Sequence, residues 1–269
     1  MSARTIVQRA ATAYDRLRPP PPGLVVLIYH RVGGGTNSMV DLPVDVFEAQ
    51  MVRLKTLAGE GRAVLTLDDA IARLAAGETP SGVVLTFDDG TRDFHEVAVP
   101  VLERHGLPAT LYAATGFIDH GRPMPWGAPS ATWDGLRAAV ATGLVAIGSH
   151  TRDHPLLDRL PAAQVADQLD ASIASITEQI GVAPRHFAYP KAVPGNTVAE
   201  IEVRTRFASA ALAGNRVNVA GGDLHHLWRT PVHRSDSPGV FERKINGGLR
   251  LEGAVREQVA RWRALREHR

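Results

Sequence analysis

The sequence predicts an α/β fold: a mostly parallel sheet covered by helices, in one domain. Three observations predict it. Apolar runs of strand length alternate with helix-period segments, the order that successive βα units produce. The 269 residues are 44% hydrophobic and 22% charged, enough to bury a sizeable core. Residues able to do chemistry gather where the apolar runs stop, which is where parallel α/β sheets carry their sites.

The elements follow in order. Ser2–Leu17 has Ile6, Ala10, Tyr14 and Leu17 at helical spacing. It reads as a short amphipathic helix that packs on the domain or touches a membrane surface. Pro19–Pro22 is a stiff polyproline stretch that sets residues 1–22 apart as an arm; residues 23–269 form the main domain. Strands are predicted at the apolar runs Leu24–Tyr29, Val83–Phe87, Ala109–Ala113, Val145–Ser149, His186–Tyr189, Phe207–Leu212 and Leu227–Val232. Between them, helical periodicity predicts Val44–Leu57, Leu67–Ala75, Phe94–His105, Trp133–Thr142, Pro161–Ile180 and Val198–Arg206, with a last helix over Glu252–Arg266. Seven strands suit either a closed barrel or an open doubly wound sheet.

Composition narrows the function. A formal net charge of +2 gives no argument for a nucleic-acid partner. With no cysteine, disulfides and thiolate metal sites are excluded. No apolar run approaches the roughly 20 residues of a membrane span. The N-terminal residues lack the apolar core of a secretory signal, so a cytoplasmic location is expected.

The run "VVLTFDDGTRD", Val83–Asp93, ends in two adjacent carboxylates. Burial and mutual repulsion both oppose ionising the two together. "GSHTRDH" sets His150 and His154 four apart, and Pro155 disfavours a helical His154, so the pair sits on a loop. Two imidazoles and one carboxylate make a three-ligand site with an open position, suited to zinc or another divalent metal. Such a cation would also stabilise the second carboxylate as an anion, ready to act as general base. The competing reading has Asp88 and Asp89 cap a helix or form a turn with Gly90. "FDDGT" is also near the D-x-D-G-T signature of aspartyl-phosphate phosphatases. That chemistry needs acids two apart, and Phe87 stands in the required position.

T-F-D-D-G, S-H-T-x-x-H and F-A-Y-P, in this order, resemble the motifs of the NodB-type polysaccharide deacetylases (carbohydrate esterase family four). The resemblance runs from about Leu24 to Val232. It implies a distorted (β/α)7 TIM-like barrel that removes N- or O-acetyl groups from sugars with a divalent metal, zinc first. It implies Asp88 as general base and Asp89, His150 and His154 as metal ligands, the division already reached from charge. Two departures stand out. Most members carry an acid histidine in an L-x-H motif that ends a late strand, whereas Leu224-His225-His226 precedes the last predicted strand. His30, ending "VVLIYH", instead fits a permuted subgroup resembling the biofilm poly-N-acetylglucosamine deacetylases. Most members also have R-x-P-Y, where this chain has Ala188 for the arginine and Lys191 for the tyrosine. The Lys191 backbone N–H can still serve an oxyanion hole. Arg229, in "LWRTPVHR", is the candidate to orient Asp88, with Arg234 and Asp236 behind it.

The expected activity is sugar N-deacetylation, with an acetylated glycan or glycan precursor as partner. An O-acetyl or non-sugar amide hydrolase is the alternative within chemistry, and a glycan-binding protein without turnover the alternative outside it. Trp126, Trp133 and Tyr112 are candidate sugar-stacking surfaces.

Overall fold

The computed structural model describes residues 3–255. Helix α1 (Ala3–Leu17) precedes the polyproline stretch. Strand β1 (Leu24–Tyr29) follows, then the short pair β2 (Arg31–Val32) and β3 (Asp41–Leu42), and helix α2 (Val44–Lys55). Next come β4 (Ala63–Val64), α3 (Leu67–Ala75) and β5 (Gly82–Phe87). A π turn over Phe94–Ala98 leads into α4 (Val99–His105), followed by β6 (Ala109–Ala113), α5 (Thr115–Asp119), α6 (Trp133–Ala141) and β7 (Val145–Ser149). The remaining elements are α7 (Ala162–Ile180), β8 (His186–Ala188), α8 (Thr197–Arg206), β9 (Ser209–Ala211), β10 (Arg229–Pro231) and α9 (Pro238–Ile245). The helix predicted over Glu252–Arg266 lies mostly outside the described residues; 250–255 are helical.

The main sheet is wholly parallel, in the order β10-β1-β5-β6-β7-β8-β9. Its ends meet just before β10. Leu227 N–H donates to Ala210 O at 2.9 Å, and Leu212 N–H donates to Leu227 O at 2.8 Å. The sheet is therefore a seven-stranded barrel, not an open sheet. The distortion lies beside β5. It pairs β1 along its whole length but meets β6 only at Thr86 and Phe87, and β4 takes the lower part of that seam at Gly82 and Val83.

Alternation along each strand decides what faces the lumen. Leu24, Val26, Val84, Tyr112, Ala188, Ala211 and Leu227 form the inner cluster, floored by Leu67, Ala70, Ile71 and Leu74 of α3. Thr66 caps that helix by accepting from Asp69 N–H at 3.1 Å, and Asp68 and Asp69 suit its positive N-terminal end. The opposite parity, Val25, Leu27, Tyr29, Val83, Leu85 and Phe87, packs outward with Phe47, Met51 and Leu54 of α2. Each such fully buried side chain contributes roughly 1.5–3 kcal/mol. Phe187, Tyr189, Ala210 and Leu212 form a third cluster with residues of α7 and α8.

The N-terminal helix packs differently from its predicted stripe. Ala11 is buried with Val7 and Asp15 half-buried beside it, while Ala10, Tyr14 and Leu17 are exposed. Asp15 explains the rotation: its carboxylate accepts from Leu249 N–H and from Arg250 Nε, and Arg250 lies over the Tyr14 ring. Polar anchoring thus sets the contact face. Among the described residues, no helix is long and apolar enough to cross a membrane.

Candidate active site and metal centre

The C-terminal mouth of the barrel holds a cavity of about 560 Å³ lined by His30, Asp88, Asp89, Trp126, His150, His154, Lys191 and His233, among others. Strand parity explains much of this. Positions 24, 26 and 28 of β1 are followed by His30; 84 and 86 of β5 by Asp88; and 229 and 231 of β10 by His233. The pairing of β1 with both β5 and β10 puts these three residues on neighbouring strand ends.

Alternation would turn Asp89 away from Asp88. Its left-handed backbone, φ 77°, breaks the alternation and lets both carboxylates line the cavity. Neither carboxylate is a helix cap: the cap of the following turn is Asp93, whose oxygens instead accept from Arg31 Nε at 3.1 Å and Val32 N–H at 2.8 Å.

Their electrostatics diverge. Burial pushes Asp88 up, but the Arg229 charge, then His150 and the arginine hydrogen bonds, outweigh it and hold Asp88 at about 2. Arg229 donates to both Asp88 oxygens, at 2.6 and 2.8 Å, and is itself fully buried. Its other contacts are Leu212 O at 3.2 Å, Thr86 Oγ1 at 3.2 Å and the Tyr112 ring, 5.0 Å away. Asp89 goes the other way: burial, reinforced by Asp88 repulsion and only partly offset by His30, raises it to about 6.

His150 and His154 come from the loop after β7, as Pro155 requires. Thr151 and His154 both take left-handed φ, 66° and 57°, and Thr151 Oγ1 accepts from His154 N–H at 2.9 Å. The loop docks on α5, where Gly116 N–H donates to Arg152 O at 2.8 Å; a Cβ at Gly116 would lie 3.0 Å from that same oxygen. His150 Nδ1 is 2.7 Å from Ala188 O, so it carries the proton and leaves Nε2 as a lone-pair donor. Burial holds His150 down at about 3, hence neutral, and lowers His154 as well.

Asp89 Oδ1 lies 3.6 Å from His150 Nε2 and 3.5 Å from His154 Nε2. With both imidazoles favoured neutral, these contacts are not ion pairs. They are near the roughly 3.3–3.4 Å edge of a tetrahedron whose ligands sit 2.0–2.1 Å from its centre. The three groups converge without bonding one another, and among the described residues they form the cluster able to hold a metal ion. The donor set, two neutral imidazoles and a carboxylate, fits a zinc-like divalent cation.

His30 lines the cavity, and its buried Nδ1 has no hydrogen-bond partner. Lys191 sits in a tight turn after Pro190, where Lys191 and Ala192 both take left-handed φ, 54° and 55°. Two consecutive non-glycine residues in that region mark a constrained backbone beside the cavity.

Other expectations need correction. Tyr112 is fully buried in the lumen beneath Arg229 and offers no stacking surface. Trp133 starts α6 and donates to Asp119 at 2.9 Å, away from the cavity lining. Trp126, half exposed and edge-on to His154 at 6.2 Å, does line the cavity. His225 and His226 bond Phe207 O and Glu200, outside the cavity. Arg234 donates to Thr36 O at 2.9 Å and fastens the loop before β3. Asp236 pairs with Lys244.

Sequence reasoning missed His233 and the Thr36–Val40 wall. His233 was detectable, because it directly follows the predicted run Leu227–Val232, as His30 follows Leu24–Tyr29. The wall depends on Asp41, whose carboxylate gathers Gly34 N–H, Thr36 N–H and Thr36 Oγ1 at 2.7–2.9 Å, which no periodicity announces.

Known proteins resemble this chain in sequence and in fold. The chain is 32% identical over 154 residues to YxkH of Bacillus subtilis (strain 168), covering 56% of this chain and 50% of that protein. It is 26% identical over 159 residues to YlxY of the same organism, covering 59% and 43%. It thus spans about half the length of these curated relatives. The fold is similar to that of the Streptococcus pyogenes deacetylase PplD, solved with acetate: TM-score 0.73, 23% identity, 84% of this chain and 99% of that one. It is also similar to IcaB from Ammonifex degensii: TM-score 0.71, 27% identity, 84% and 97%. The family model for polysaccharide deacetylase matches residues 76–208, the span that carries the acid pair, the histidine pair and F-A-Y-P. Sequence motifs, barrel and relatives agree with that match: over residues 76–208 the chain is similar to the polysaccharide deacetylase family.

Proposed function

We propose that the chain hydrolyses the N-acetyl group of an acetylated sugar or polysaccharide. The observation that carries this reading is the convergence on one cavity of an arginine-held carboxylate, a three-donor metal cluster and a separate histidine. Held by Asp89, His150 and His154, a divalent metal, zinc first, would supply Lewis acidity at the acetyl carbonyl and acidify water. Asp88 accepts the proton of the attacking water. Its low proton affinity in the ligand-free site keeps it ionised and available, and Arg229 fixes both of its oxygens. The Lys191 N–H hydrogen-bonds the carbonyl oxygen as negative charge develops there. His30 protonates the departing amine, a poor leaving group that needs this proton. Trp126 offers an apolar face to a sugar ring beside His154.

The experiment is to incubate the metal-loaded protein with a panel of N- and O-acetylated sugars and measure acetate. Asp88→Asn should bind metal normally and lose turnover by on the order of 10²–10⁴-fold, because an amide cannot accept the proton. Acetate release close to wild type in that variant would remove Asp88 from the mechanism.

A further inference from the structure

His233 stands at the cavity wall with no part in the chemistry above. It continues the inward set of β10, two residues beyond Pro231 and four beyond Arg229. Behind it lies Lys244 of α9, whose side chain is fully buried. The Lys244 ammonium donates to Asp236 Oδ2 at 2.5 Å and to Pro231 O at 2.6 Å, and lies 3.5 Å from His233 Nδ1. Asp236 Oδ2 also accepts the His233 backbone N–H at 2.9 Å, and is 4.0 Å from the same Nδ1.

This arrangement decides the tautomer. An ammonium has donors and no acceptor, so the ring nitrogen facing it must hold a lone pair. A proton on Nδ1 would be set against a buried positive charge, and an imidazolium would add a second one. Asp236, the group that could have favoured a proton there, is nearer to Lys244 and engaged by it. The proton therefore belongs on Nε2, at the opposite edge of a ring that lines the cavity.

We infer that His233 is a substrate-binding residue, a neutral imidazole whose Nε2–H donates to a hydroxyl or carbonyl oxygen of the bound sugar, fixed in that tautomer by the buried Lys244–Asp236 pair. Lys244 and Asp236 act only through His233 and are positioning residues. The identity of the ligand rests on the deacetylase reading; the tautomer does not.

Long-range proton–nitrogen correlation spectra of the full chain, labelled at histidine nitrogens, test the tautomer at about pH 7, with His233→Phe to assign the signal. The expected pattern is protonated Nε2 with unprotonated Nδ1, lost in Lys244→Met. The binding role is tested by titrating and assaying an N-acetylglucosamine pentasaccharide. His233→Phe should raise KM about tenfold, the value of one lost hydrogen bond, with a much smaller fall in kcat. His233→Gln, which keeps an amide N–H, should recover most of that loss. If the wild type releases no acetate yet the pentasaccharide shifts the His233 Nε2–H signal, this inference stands and the deacetylase reading of the site falls. A proton on Nδ1 in the wild type, an unchanged KM in His233→Phe, or no shift on titration would each overturn the inference.

Discussion

Asp88 and Asp89 are neighbours in sequence and opposites in charge preference. Asp88 faces a guanidinium with the geometry of a bidentate pair, and Asp89 faces two imidazoles that burial keeps neutral. Two predictions belong at this scale. Arg229→Met leaves a buried carboxylate without its counter-charge, and breaking such a pair costs about 3–5 kcal/mol. Denaturant unfolding should show that loss; in the double variant Arg229→Met/Asp88→Asn most of it should return, because no charge is then stranded. A full loss in the double variant would mean that Arg229 acts through packing alone. The second prediction concerns pH. Without metal, Asp89 is raised to about 6, above its ordinary 3.8, so below pH 6 it holds a proton that metal binding must displace. Metal affinity should fall by at least about tenfold per pH unit well below pH 6, and His154, lowered by burial from its ordinary value, steepens the fall where it too takes up a proton. His150, held at about 3, adds nothing in that window. Infrared spectra at pH 5 should show a carboxylic-acid band that disappears when metal is added. Its absence would assign the released proton elsewhere.

At the scale of elements, the strands that end in chemistry were legible and their surroundings were not. Leu24–Tyr29, Ala109–Ala113 and Val145–Ser149 match their predicted bounds because each is a mainly apolar run, buried at every position in the first two and at all but Ala146 in the third. The last two strands are shorter than their runs: β9 is Ser209–Ala211 and β10 is Arg229–Pro231, since the flanking apolar residues serve closure and packing without full ladders. The strands β2, β3 and β4 span two residues each, too short to leave a period; α5, at five residues, is likewise too short, and α9 is one short helix that opens on Pro238. Within the site, the convergence of Asp89, His150 and His154 was legible from residue type and order. The left-handed turns at Asp89, Thr151, His154 and Lys191 were not, since none uses the glycine that would announce it. The pairing of β1 with β5 carries the prediction for His30, far in sequence from Asp88 and Asp89 but on an adjacent strand end. His30→Ala should keep metal and fold and lose activity most on an N-acetyl sugar. The O-acetyl version of the same sugar has a better leaving group and should suffer less. Equal losses in kcat/KM on the two substrates would contradict the acid role.

The whole molecule is a ring of strands whose mouth contains buried charge and whose floor is closed by α3. At that floor His186 bonds Ser209 and Asp68, so the polar groups there are mutually satisfied and fully or nearly buried on the strand side. The mouth is different: Asp89 is held above its ordinary proton affinity by burial, and His30 Nδ1 is buried without a partner. The site thus carries a folding cost that a cation bound at Asp89 would relieve. Asp89 follows β5 and the two histidines follow β7, with β6 between them, so one ion would link strand ends that do not pair directly. A ligand that binds the folded chain alone stabilises it by about 2.7 kcal/mol at a free concentration one hundred times Kd. For a chain of this size that is a rise of several degrees in Tm. Zinc added at pH 7.5 should therefore raise Tm. At pH 5 the same free concentration should raise it less, because protonated Asp89 weakens binding while His150 stays neutral. Asp89→Asn should abolish most of the rise, since the amide supplies neither the charge nor an equivalent ligand. Scanning calorimetry of both proteins at the two pH values checks all three statements. An equal rise in Asp89→Asn, or none in the wild type at pH 7.5, would place the metal elsewhere and leave the cluster at the mouth as buried polar structure.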